Sequence, residues 1–334
     1  RRSRPPPARA APSLKTARLI NRGNFPEVYP SFSFMSSPTR AARGALAATA
    51  SFLFWGLVPL YWKQMSSIAS IELIMHRIVW SLLFLIGILA WQNNLHTLRA
   101  AFAYPRLIGL NLLSSLLLAA NWTVYIWAVN HGQVIESSLG YFLVPLVNVA
   151  LGSLLLHERL RALQWLAISL AAAGVIILLA RLSHVPWIAL AIAATWSGYG
   201  LLKKKSALGA IPGLTAETLI LLPLALGLLG WWHHTGTGAL GRVDWWQHSL
   251  ILSVGVVTAI PLLLFAYGAQ RIPLTTLGLL QYLAPSVQFL LGYFLYHEPF
   301  DLVHLQAYAC IWTGLLLYIG DGFWAQRHHL RAST

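Results

Sequence analysis

The chain has 334 residues, of which 57% are hydrophobic and only 10% charged, with 15 Trp and a formal net charge of +14. A water-soluble domain of that size needs far more polar surface than this, so lipid is the implied solvent. The positive charge would suit a nucleic acid, but Lys and Arg fall between apolar runs and not on one basic face; the expected partner is the lipid bilayer, with no nucleic acid.

Residues 1–34 are rich in Arg, Pro and Ser, with Glu27 as their one acid, and precede Met35-Ser-Ser, which looks like a start. Such a leader reads either as a mitochondrial transit peptide or as sequence translated upstream of the natural start, and the second reading is preferred. After it, a bilayer core of about 30 Å calls for about 20 apolar residues per helix. Ten runs of that size follow: Gly44–Trp62, Glu72–Trp91, Pro105–Asn130, Val134–Leu156, Leu163–Arg181, Val185–Leu202, Gly213–Trp232, His248–Gln270, Pro273–Tyr296 and Val303–Phe323. The first extends past the apolar region of a cleaved signal into Trp55, Pro59 and Trp62, so it reads as a span. Only the connection His233–Gln247 is long; sequential spans are therefore expected to be antiparallel neighbours.

With the N-terminus in the cytoplasm, twelve Lys and Arg fall on the cytoplasmic side (Arg40, Arg43, Arg99, Arg106, Arg159, Arg161, Lys203, Lys204, Lys205, Arg271, Arg327 and Arg331). Three fall opposite (Lys63, Arg181 and Arg242). This is a positive-inside pattern with both termini cytoplasmic. Lys203 to Lys205 read as a topology anchor in preference to a patch that attracts anionic substrates or lipid headgroups.

Ser137–Glu158 returns, altered, 140 positions later. Pro145 falls on Pro285, Gly152 on Gly292, and His157-Glu158 on His297-Glu298. Trp55-Gly56 pairs more weakly with Trp196-Ser197, and Glu72 with Glu217. Each repeat has five spans, an odd number, so the second enters the membrane inverted. The expected organisation is an all-α membrane protein: residues 35–182 and 183–325 as two inverted five-helix repeats, with 326–334 a cytoplasmic tail.

HRIVWS from His76, NWTVYIWAVN from Asn121, ESSLGYFLVPLVN from Glu136, ERLRALQWLA from Glu158, YGLLKKK from Tyr199 and TTLGLLQYLAP from Thr275 resemble the RarD proteins of the EamA branch of the drug/metabolite transporter superfamily. The resemblance covers essentially everything after Met35. It implies ten helices, a central cavity between helices one to four and six to nine, a bacterial inner-membrane location, and export or exchange of small metabolites. The chain departs from the family at His157 and His297, where Gly is expected before Glu.

Uncharged polar groups mark candidate cavity positions. Ser137, Tyr141 and Asn148 share one stripe of the fourth span, and Gln281 and Gln288 are repeat mates of the last two. Site lining competes with polar glue between helices. In the second span, Arg77 reads either as a ligand for an anionic substrate group or as part of an internal ion pair with Glu72. His76 and Glu72, one turn apart, and Glu136 are proton-coupling candidates, since imidazole titrates near neutrality. For Glu136 the favourable macrodipole at the start of its own helix is the bland alternative. Asn121, Trp122 and Tyr125 form an aromatic wall that could hold a planar or cationic ligand. Trp55, Trp196, Tyr199 and Tyr282 complete the candidate set. Small residues Ala167, Ala171 and Gly174 in the fifth span and Gly314 in the tenth read as close-packing faces.

Catalytic, metal and cofactor sites are not expected. Cys310 is the single Cys, and the His-Glu pairs lack the second His of a zinc-protease face. The expected function is secondary transport of a small-molecule substrate; an intramembrane enzyme and a passive channel are the alternatives, and a homodimer is left open.

Overall fold

The computed structural model describes residues 38–131, 133–180, 184–295 and 302–332. Residues 1–34, Arg181, and the repeat mates His297 and Glu298 lie outside the described residues. Twelve helices follow one another: α1 Pro38–Trp62, α2 Ser70–Trp91, a short α3 His96–Ala101, α4 Pro105–Asn130, α5 Val134–Leu155, α6 Ala162–Leu179, α7 Trp187–Lys205, α8 Ala210–Thr235, α9 Trp245–Ala269, α10 Leu274–Leu280, α11 Leu283–Phe294 and α12 Leu302–Ala332. α12 carries helix into the expected tail. Among the described residues nine segments are long and apolar enough to cross a membrane. The tenth, α7, is shortened as an apolar run by its three terminal lysines.

The ninth span is broken. Pro285 has no N–H for the carbonyl of Gln281 and its ring crowds that carbonyl. Gln281 and Tyr282 instead sit in a tightened turn, with Ala284 N donating to Gln281 O at 3.1 Å and Tyr282 N to Leu279 O at 3.2 Å. Its mate Pro145 stays inside a continuous α5. The long connection is short in practice: α8 runs to Thr235, Gly236 ends it in the left-handed region, and Asp244 caps α9 by accepting from Gln247 N at 2.7 Å.

The two halves interleave. α6 packs on α12, α2 on α8 and α5 on α10, each pairing a span with its own repeat mate. The remaining large contacts come in exchanged couples: α5 on α7 matches α11 on α1, α4 on α7 matches α9 on α1, and α2 on α9 matches α8 on α4. A two-fold relation between the halves produces this set. Most packing is therefore between halves, as van der Waals contact between helices in lipid requires. The expected small-residue faces meet: Gly314 of α12 abuts the backbone of Ala167 and Ala171, and Gly174 of α6 abuts Ala307 and Cys310.

Candidate functional site

α2 brings Arg77 to the middle of the bundle. Its guanidinium carbon lies 3.4 Å from the centroid of the Trp122 ring on α4, a cation–π contact. The residue is only 6% exposed, and Nε and Nη2 reach no hydrogen-bond partner. Among the described residues no carboxylate pairs with it. Arg77 and Trp122 line a narrow cavity with Ser81, Leu118, Glu217, Thr218, Thr258 and Leu262, with room for about one water molecule. A charge at mid-membrane costs about 2.5–3.5 kcal/mol on insertion scales, which the Trp122 contact offsets in part.

Across the cavity, each carboxylate oxygen of Glu217 of α8 has a partner. Lys203 Nζ lies 2.6 Å from its Oε1, and the Tyr199 hydroxyl donates to its Oε2 at 3.3 Å. Tyr199 and Lys203 share one face of α7 at i, i+4. The three lysines at the end of α7 divide: Lys203 is buried, and Lys204 turns in to donate to Ile272 O at 2.6 Å, while Lys205 is exposed. Above Tyr199 an aromatic column forms, with Trp196 tilted on Tyr199 and Phe265 and edge-on to Trp55. Trp196 Nε1 donates to Gln281 Oε1 at 3.2 Å.

The polar stripe of α5 divides. Tyr141 donates to Asn121 Oδ1 at 3.3 Å, and Asn121 Nδ2 donates to Ile192 O and Thr195 Oγ1 at 3.1 Å each, so these amide and phenol groups tie α4, α5 and α7 together. Asn148, 1% exposed, has no partner on Nδ2 or Oδ1 and faces Gly278 of α10. Ser137 is fully buried in α5. Gln288 is exposed and donates to Trp55 O at 3.2 Å, joining α11 to α1. Tyr282 is buried against Phe142 in a cluster with α6 and α12, away from the Arg77 cavity. The aromatic wall is not assembled as expected: Trp122 is covered by Arg77, while Tyr125 is 39% exposed and meets Tyr141 edge-on.

Glu72, His76 and Arg77 do not converge. Glu72 Oε1 accepts from Ala239 N, in the α8–α9 connection, at 2.6 Å, and His76 Nε2 stands 3.7 Å from it, too far for a hydrogen bond. Glu136 serves another helix as well as its own: it accepts from Ile188 N in the first turn of α7 at 2.9 Å and meets His184 Nε2 at 2.9 Å. Glu158, unremarked as a ligand in the sequence, accepts from Leu274 N, Thr275 N and Thr275 Oγ1 at 2.7–3.0 Å and caps α10. Arg161 binds Asp321 on α12. Every one of these carboxylates except Glu217 joins one half to the other. Among the described residues no group of three or more His, Cys, Asp or Glu could hold a metal.

The EamA-like transporter family model matches residues 42–180 and again 185–320. The uncharacterized transporter YojE of Bacillus subtilis is 43% identical over 83% of this chain and 93% of its own length. Protein RarD of Streptomyces exfoliatus is 38% identical over 86% of this chain and 91% of its own. A solved crystal structure superposes with a TM-score of 0.64 at 19% identity, covering 82% of this chain and 96% of that one, and shares the fold. Two family matches on two interleaved halves, with a RarD relative along nearly its full length, establish that the chain belongs to the EamA-like transporter family, in its RarD group, and is a multi-pass membrane transporter.

Proposed function

We propose that the chain is a secondary transporter that exports or exchanges small organic metabolites across the bacterial inner membrane, with both termini in the cytoplasm. The observation that carries this reading is the walls of the Arg77 cavity: α2 and α4 come from the first half, α8 and α9 from the second. A site at the interface of inverted repeats opens to either face when one half rocks against the other. The carboxylate contacts supply closures at both ends of the bundle. Counting alternating spans, Glu72 on Ala239 and Glu136 on Ile188 lie at one end, and Glu158 on Leu274 and Thr275 lies at the other. Breaking one set while keeping the other is the minimal rocking step. The small volume of the cavity suits an occluded state between the two.

The test is cysteine accessibility. In a Cys310→Ser background, Ser81→Cys and Thr258→Cys are exposed to a membrane-impermeant maleimide in right-side-out and inside-out vesicles. Labelling is expected from both faces, with no passage of reagent to lumenal thiols. Labelling from one face alone under all conditions would sink alternating access, and leakage of the reagent through the protein would mark a channel.

A further inference from the structure

We propose that the cavity receives the carboxylate of a small monoanionic organic solute on Arg77 Nε and Nη2, which specifies the substrate class and rests on the transport reading above. Nε and one Nη form the side-on edge of a guanidinium, and their parallel N–H bonds match the two oxygens of a carboxylate. Both are buried and without a hydrogen-bond partner, on a residue that lines the cavity. Trp122 covers the guanidinium face at 3.4 Å, which fixes its plane and removes that indole face as a seat for a cationic ligand.

The rest of the lining discriminates against other charges. Glu217, the only acid on the wall, is already held by Lys203 and Tyr199, so no carboxylate is free for an ammonium group. The Ser81 hydroxyl proton goes to Gly255 O at 3.1 Å and that of Thr218 to Leu214 O at 2.9 Å, leaving these groups as acceptors. Among the described residues that line the cavity, Arg77 is thus the one charged donor with unpartnered N–H groups, set among Leu118, Leu262 and Trp122, which suit an apolar body. A zwitterion would bring its ammonium to hydroxyl acceptors with no unpaired carboxylate on the wall to balance its charge, and burying an uncompensated charge is strongly unfavourable.

The full chain is reconstituted in proteoliposomes and assayed by counterflow with radiolabelled lactate, benzoate and phenylpyruvate, with lactamide, benzamide and benzylamine as neutral and cationic comparisons. At least one carboxylate is expected to exchange, with its amide and amine at least 10-fold slower. Arg77→Gln should lower that rate 100-fold or more, and Arg77→Lys about 10-fold. Exchange of amide or amine without any carboxylate, or carboxylate exchange that survives Arg77→Gln, overturns the substrate class while leaving a transporter. No exchange of any solute defeats the transport reading and the substrate class with it. Thermal unfolding separates binding from a packing role: empty Arg77→Gln should melt above the unsubstituted protein and lose any shift with the carboxylate. A lower midpoint in the empty variant would make Arg77 a structural residue and overturn the proposal.

Discussion

Lys203 Nζ lies 2.6 Å from Glu217 Oε1, with both side chains 3% exposed. The contact joins the end of α7 to the start of α8 and gives a counter-charge to the carboxylate that lines the cavity together with Arg77. Breaking a buried pair from one side strands the other charge and costs about 3–5 kcal/mol, whereas an apolar or neutral replacement of both partners can be close to neutral. Glu217→Gln and Lys203→Met should each lower the unfolding midpoint in detergent sharply, and the double variant should recover most of the loss. Additive losses in the double variant would mean that the two residues act separately.

Glu158 should protect the first turn of α10. A helix N-terminus presents N–H groups with no partner in the helix, and Glu158 takes those of Leu274 and Thr275 at 2.7 and 3.0 Å. Loss of a cap costs about 1 kcal/mol, and three accepted bonds place this one at or above that figure. Glu158→Ala should speed amide hydrogen exchange at Leu274 and Thr275 selectively, with α6 and α12 unchanged. Uniform acceleration across the bundle would instead make Glu158 a global contact.

Much of this was legible before any coordinates, and the boundary between what was and was not is physical. Hydropathy finds a span because lipid tolerates no unsatisfied backbone, so the helices α2 and α4 to α9 fall close to their expected limits, while α1 begins earlier, at Pro38, and α12 runs past Phe323 to Ala332. It cannot foresee the break at Gln281, because Pro145 and Pro285 are identical in the repeat and only α11 separates from α10 at its proline. Arg77 announced itself as a charge amid apolar residues. Lys203 did not, since a lysine at a span end reads the same whether it turns to water or inward to Glu217. The residues of the α5 stripe share one helix face by their spacing, yet that face crosses different helices along its length: Tyr141 meets Asn121 of α4, while Asn148 meets Gly278 of α10.

His157 stands where the family resemblance expects Gly, and it adopts φ +53°. Only residues without a Cβ enter this left-handed region freely; others lose roughly 1–2 kcal/mol. His157→Gly should therefore raise the unfolding midpoint without changing transport, because the side chain is exposed. An unchanged or lower midpoint would show that the imidazole contributes a contact that offsets the backbone cost.

Gly255 of α9 rests against the Trp80–Ser81 backbone of α2, closer than any Cβ could sit. Ser81 also donates to Gly255 O at 3.1 Å, so this crossing sets the height of the helix turn that carries Arg77 one turn earlier. Enlarging a packed crossing costs about 1–3 kcal/mol, and more where backbone and not side chain must move. Gly255→Val should reduce both the unfolding midpoint and solute exchange. Gly227 of α8, with nothing within 4 Å of its added Cβ, is the matched control; Gly227→Ala should hold or slightly raise the midpoint, since Ala is the better helix former by about 1 kcal/mol. If both variants behave alike, the α2–α9 crossing is not the contact that holds Arg77 in place, and its position must depend on Trp122 instead.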